Sequence, residues 1–576
     1  MSMAALSYKE FIEEVRTRIS RFTADDFRDL ILHWASEEPS STRQEFLNKL
    51  IPRERGKQET LPDATGLIEE IDAFAQRVKD GDYCDGWGWD EDIHEARDWG
   101  DESWAREMDG FFLQTRSLLL QGDYESAEEA YVRLFGILKM GEEPGHLPGA
   151  DYANMLEVDL AEQVALFLCC VYMNSAPEQR PASIYDAMKK YGYLGSGITL
   201  KSITGGLDIS LPDFDVFLAD WIDFLKNQNH WQASEWLREA VFMKGGVPAI
   251  AEFAREYAET YPLAYMDWIR ALEAQGDTDA VIRVAREGLS RIPRDYTLRA
   301  EIADVIAKLG ESQGDPQLKL EGHKESFYSS PSMERLVDLY TTAIECGCFE
   351  EIREVAEQRM TELLSRSGTL PNNGHNRERH MACVRDGVFF NALLLAGKYE
   401  EVFEHCRKAG QFGWSSSDNP KPVFVAFMMM LLSKGGDDAK VLLQQWEDAI
   451  GQTSAHGGAE YVGKYQRIIE HTIATIALTG EQEQFFLKWC MDEIEKRVDT
   501  IVGNQHRGSY HKAAGLLVAM AETLAKRGEK QAGANLIEKY RSRYPRHSAF
   551  RNEVSAAMQR SGIFESGASA KGTKKR

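Results

Sequence analysis

The sequence predicts an all-α fold, an irregular α-solenoid of stacked helical hairpins with a small N-terminal helical region. Three observations lead there. At 576 residues the chain exceeds the ~250–300 residues at which a single core stops growing, so it needs several domains or an extended core. Its 43% apolar and 28% charged residues are ordinary for a folded chain. A unit of apolar helix, glycine turn and second helix recurs from residue 111 onward.

Taken in order, amphipathic stretches at 8–21, 24–34 and 42–50 open the chain, with Thr23 and Ser41 as N-caps and Pro52 as a stop. The loop RERGKQETLP leads to the helix LIEEIDAFAQRV, which completes an N-terminal helical region at 1–80. An acidic, Trp-rich connector follows at 81–110. Helical-repeat segments at 111–310 and 331–560 come next, separated by a loop at 311–330, ESQGDPQLKLEGHKESFYSS. Further loops are expected near 147 and at 195–214, 367–379 and 410–422, and a disordered basic tail at 561–576.

The repeated unit first reads FFLQTRSLLLQGDYESAEEAYVRLFGIL. It returns as LEAQGDTDAVIRVAREGLSRIP, IECGCFEEIREVAEQRM, LLLAGKYEEVFEHCRKAG, IALTGEQEQFFLKWCMDEI and LAKRGEKQAGANLIEKYRSRYP. Gly122, Gly276, Gly347, Gly397, Gly480 and Gly528 are the turn glycines; each ends one helix, and a polar residue starts the next. A lone hairpin cannot bury its apolar face, so hairpins stack. The pattern resembles tetratricopeptide-like helical repeats over about 111–558, although its turn glycines lie 50 residues apart from Gly347 to Gly397 and 48 from Gly480 to Gly528. The stretch GNQHRGSYHKAAGLLVAMAETLAKRGEKQAGANLIEKYRSRYPRH looks like the helical regions of bacterial proteins carrying SWIM-type zinc fingers. The zinc finger itself is lacking: Cys346-Gly-Cys348 supplies the chain's one CxC, and no CxH follows it.

The longest apolar runs, 164–173 and 423–432, are half of the ~20 residues a bilayer requires. With no basic start and apolar stretch at the N-terminus, a cytoplasmic location is expected. The eight cysteines are expected to be buried thiols rather than a disulfide framework. Charge is unevenly placed. Residues 501–576 hold fifteen Lys/Arg against five Asp/Glu, in a chain of net charge −25.

Two regions are candidates for function. Between Gly81 and Asp109, eleven carboxylates and two arginines surround Trp87, Trp89, Trp99 and Trp104. These tryptophans, with Asp90 and Asp92, either anchor a basic protein partner or pack into the chain's own core. In the C-terminal region, Arg507, Lys512, Arg527, Lys530, Arg541, Arg543 and Arg546 form a candidate basic face. It could bind phosphates, an acidic partner or the protein's own acidic surface, or be simply solvated.

Motifs for chemistry are absent. His94-Glu95-Ala96-Arg97-Asp98 lacks the second histidine of a zinc protease, and no window matches a calcium loop. GYLGSGITLKS has Leu200, not glycine, before its lysine, unlike a phosphate loop. His375 and His380, like His506 and His511, sit five apart and so on different helical faces. Neither GxSxG nor GxGxxG occurs. The expectation is therefore a non-catalytic adaptor or scaffold with a protein partner and with no cofactor, metal or membrane. The alternative is a bacterial regulatory or defence-associated subunit that touches nucleic acid through its basic C-terminal region or is controlled by a partner enzyme.

Overall fold

Thr23 opens the first described helix, α1 (Ala24–Glu37), as its position before the apolar pattern predicts. Its hydroxyl accepts the Asp26 amide at 3.2 Å, and the Asp26 carboxylate accepts the Thr23 amide at 2.8 Å. This reciprocal cap satisfies donors that a helix start leaves open. The computed structural model describes residues 17–18, 22–37, 64–90, 94–149, 155–195, 197–205, 209–366, 379–412, 418–434, 438–454 and 457–564. The expected helix at 8–21 apart from Thr17 and Arg18, which are helical, the expected helix at 42–50, the greater part of the 367–379 loop and the tail from 565 lie outside them.

The described residues are mostly helical, and the chain divides into two compact units, Met1–Gly246 and Val247–Arg576. The first unit continues with α2 (Ala64–Asp80), strands β1 (Cys84–Asp90) and β2 (Glu95–Gly100), α3 (Trp104–Leu120) and α4 (Tyr124–Met140). Then come α5 (Leu160–Asn174), α6 (Arg180–Tyr191), α7 (Leu200–Gly205) and α8 (Phe214–Leu225). Consecutive helices pack together around aromatic rings; Phe135, for instance, lies 5.5 Å from Phe167 and 5.2 Å from Tyr191. Helix α9 (Ala233–Glu256) leaves helical geometry at Gly246, two residues before Pro248, whose missing amide and ring interrupt the hydrogen-bond ladder.

The second unit holds α10 (Leu263–Gln275), α11 (Thr278–Arg291), α12 (Leu298–Gln313), α13 (Pro316–Ser329), α14 (Met333–Glu345), α15 (Phe349–Ser365), α16 (Asp386–Leu395) and α17 (Tyr399–Lys408). It ends with α18 (Lys421–Leu432), α19 (Lys440–Gly451), α20 (Ala459–Ile473), α21 (Gly480–Gly503), α22 (Tyr510–Lys526), α23 (Lys530–Arg543) and α24 (Ser548–Ser561). Neighbours in sequence pair, but α14 also packs on α20, α18 on α21, and α19 on α22. No described helix is long and apolar enough to cross a membrane.

The Gly-Asp device works as read. Gly122 and Gly276 take positive φ, and the following Asp123 and Asp277 accept the Ser126 and Ala280 amides at 3.2 and 2.9 Å. Gly480 departs from it. It is the first residue of α21, behind a capping box formed by Thr479 and Gln482, and its φ is not positive.

The expected loop at 311–330 is instead helical. Gly314 (φ 65°) turns the chain, Asp315 caps the amides of Gln317 and Leu318 at 3.0 and 3.1 Å, and Pro316 sits at the first turn of α13. Helices α12 and α13 then cross at backbone contact. A Cβ added to Gly322 would lie 2.3 Å from the Ala307 amide nitrogen, and one on Gly310 the same distance from that of Lys319. Gly322→Ala should therefore destabilise by ~1–3 kcal/mol through overpacking, despite alanine's better helix propensity of about 1 kcal/mol. Urea unfolding checks this, and an unchanged midpoint would mean that the two helices part freely.

The cysteine expectation holds for four positions: Cys169, Cys170, Cys406 and Cys490 are buried. Cys84, Cys346 and Cys348 are half-buried, and Cys383 is exposed because it lies in the non-helical approach to α16.

Candidate functional site

Residues 81–110, read as a connector, contain a β-hairpin and the start of α3. The run Gly86-Trp87-Gly88-Trp89 alternates with the two-residue period of a strand and pairs antiparallel with β2. Cross-strand partners share a face, so Trp87 and Trp89, opposite Asp98 and Ala96, lie together on one side. Trp99 falls on the other side, opposite Gly86, where the Arg97 guanidinium covers its ring at 4.0 Å. Gly88 leaves room there, since an added Cβ would already touch the Trp99 indole at 3.4 Å.

The four tryptophans therefore do not form one surface. Trp87 and Trp89 are 64% and 63% exposed and Trp99 40%, whereas Trp104 is wholly buried and donates its indole N–H to the Pro148 carbonyl at 3.0 Å. Asp92 lies outside the described residues, and Asp90 is placed only as the last residue of β1. Exposed Asp82 and Asp85 keep this end acidic.

Several carboxylates that could have crowded a metal hold the fold instead. Asp98 accepts the Gly145 amide at 2.7 Å, tying the hairpin to the 145–149 segment. Asp109, buried at the core of α3, accepts the Glu157 and Val158 amides at 3.0 Å. Glu107 binds Arg77 at 2.6 Å and the Tyr83 hydroxyl at 2.8 Å, and burial followed by this contact pushes the phenol's pKa up. Among the described residues, no group of three or more His, Cys, Asp or Glu could hold a metal ion.

The GYLGSGITLKS segment is likewise occupied: Glu239 accepts the Leu200 and Lys201 amides at 2.9 and 3.0 Å, the position an anion would take at that helix start. His375 lies outside the described residues, and His380 contributes its backbone carbonyl to the Thr297 amide at 2.8 Å.

The basic C-terminal residues divide in two. Arg527 pairs with Glu483 at 2.9 Å, Arg543 with Asp499 at 3.0 Å and Arg541 with Glu538 at 3.9 Å. Lys539 pairs with Glu495 at 2.7 Å, and Lys526 with Asp438. Much of the stripe thus meets the protein's own acidic residues. Arg507, Lys530 and Arg546 are exposed, while Lys512 lines a cavity of ≈ 950 Å³ beneath α18, α19 and α22. Sequence reading missed this cavity, because its walls come from segments spread between Phe412 and Arg560.

No family model matches the chain, and no curated protein matches it.

Proposed function

We propose that this chain is a non-catalytic adaptor, an irregular tetratricopeptide-like solenoid that docks a protein partner through its acidic β-hairpin. One observation carries the reading: Trp87 and Trp89 stand together on one hairpin face, nearly two-thirds exposed. Indoles left in water on a segment fastened by Asp98 and Trp104 are suited to anchor a partner, because large rigid side chains contribute most of the contact energy at interfaces. The neighbouring Asp82 and Asp85 favour a basic partner. The pairing of Arg527, Arg541 and Arg543 with carboxylates of the same chain supports this reading over a nucleic-acid face.

The test is a pull-down from the native host with the intact protein and with Trp87→Ala/Trp89→Ala. The variant should lose a specific partner while its melting temperature stays unchanged, as surface changes typically cost within about 0.5 kcal/mol. A partner set identical to that of the intact protein would refute docking at the hairpin.

A further inference from the structure

The hairpin is a two-stranded sheet, and its two outer edges differ. In an antiparallel pair the amide and carbonyl of one residue point to the same side, and successive residues alternate between facing the partner strand and facing away. The Asp98 carbonyl accepts the Gly149 amide at 3.1 Å, so Asp98 faces away from β1, and the 145–149 segment closes the outer edge of β2. Asp101, three residues on, points the other way and gives its amide to the Tyr83 carbonyl at 2.8 Å, as alternation requires. Trp87 lies opposite Asp98, and Trp89 opposite Ala96. Their amides and carbonyls therefore also turn away from the partner strand, toward the outer edge of β1. Among the described residues no other group bonds them.

Proteins usually blunt such an edge with proline, lysine or a covering segment, because its open main chain is a template for another strand. The β1 strand, CDGWGWD, contains neither proline nor lysine, and its irregularity lies between Cys84 and Gly86, before the indoles. The same two residues thus present open main chain at the edge and exposed rings on one face.

We propose that the hairpin holds its partner by strand addition: an extended basic segment pairs with the main chain of Trp87 and Trp89 and lays every second side chain, Lys or Arg, on the two indoles. The proposal rests on the docking reading above and names how that site grips. Main-chain pairing fixes the segment's register, and the alternation of a strand then brings alternate side chains beside the rings. Charge selects the occupant. Asp82 and Asp85 are exposed at the start of β1, and on the opposite face of the sheet the Arg97 guanidinium already covers the Trp99 ring at 4.0 Å. A second copy of this chain would instead add its own carboxylates to an edge that is already acidic.

The experiment uses the full chain, isotope-labelled at its tryptophan nitrogens, and an end-capped peptide of alternating Arg and Thr. In the free protein, amide hydrogen exchange read by NMR should be fast at Trp87 and Trp89 and slower at Trp99, whose amide faces β1. Saturating peptide should slow exchange at Trp87 and Trp89 by about tenfold or more. In fluorescence anisotropy, N-methylation of one alternate set of peptide residues should weaken binding about tenfold or more, and methylation of the other set should leave it unchanged, because only one set bonds to the edge. Trp87→Ala/Trp89→Ala should also weaken it, and an alternating Glu and Thr peptide should not bind. Binding that needs the indoles but is equally indifferent to both methylated sets would overturn strand addition and leave hairpin docking standing. No saturable binding, equal binding of the acidic peptide, or Trp87 and Trp89 amides as protected in the free chain as that of Trp99 would also overturn it, while the pull-down separately decides docking.

Discussion

Trp104→Ala should lower the stability of the first unit by ~3–5 kcal/mol, the cost of emptying a large buried aromatic site. The indole is wholly buried at the start of α3, and its N–H holds the Pro148 carbonyl at 3.0 Å. Alanine leaves both a void and a buried acceptor without its donor. Trp104→Phe separates these contributions: it keeps most of the apolar volume, loses the hydrogen bond, and should cost about 1–3 kcal/mol. Thermal and urea unfolding of both variants beside Trp87→Ala/Trp89→Ala decides the roles of these tryptophans. A Trp104→Ala protein as stable as the parent would refute the core assignment. A Trp87→Ala/Trp89→Ala protein as damaged as Trp104→Ala would move those indoles from docking to packing.

This contrast also marks how far the sequence could be read. Spacing alone does not separate Trp104 from Trp99, because both are tryptophans among carboxylates. What distinguishes them is the pairing of β1 with β2 and the return of residues 145–149. The period-two alternation of Gly86-Trp87-Gly88-Trp89 was a strand signal hidden by the density of charge around it. The helical hairpins were legible wherever Gly-Asp turns occurred, because positive φ at glycine and a carboxylate N-cap are local requirements.

The same signal stood at Gly314-Asp315. There Pro316 and the surrounding polar residues read as a loop, although proline at a helix's first turn costs no hydrogen bond. Gly322, which also suggested a break, is there because only glycine admits the backbone of α12. The cavity had no local signature at all. Its lining residues come from segments spread between Phe412 and Arg560 and are brought together only through long-range packing of α18, α19, α21, α22 and α24.

Glu493→Ala should destabilise the second unit by ~3–5 kcal/mol, because it strands the Lys421 ammonium in the core. The two side chains are 9% and 8% exposed and meet at 3.0 Å, while Lys496 reaches the other carboxylate oxygen from the surface at 2.9 Å. Lys421→Met/Glu493→Leu removes both charges and should recover most of that loss, so the pair's coupling can be read from a double-mutant cycle. Burial alone would raise the Glu493 pKa, but the bonds from Lys496 and Lys421 outweigh it and hold the pKa below the usual value. A lowered folded-state pKa means that the unfolded chain takes up a proton more readily. The group's stabilisation is therefore complete above the ordinary glutamate pKa of about 4.3 and is lost as pH falls through the lowered value. Urea unfolding from pH 7 down to pH 3 should show this acid loss in the parent and a smaller one in Lys421→Met/Glu493→Leu. Identical acid limbs in the two proteins would show that other carboxylates carry the pH dependence, and a Glu493→Ala protein of parental stability would refute the buried pair.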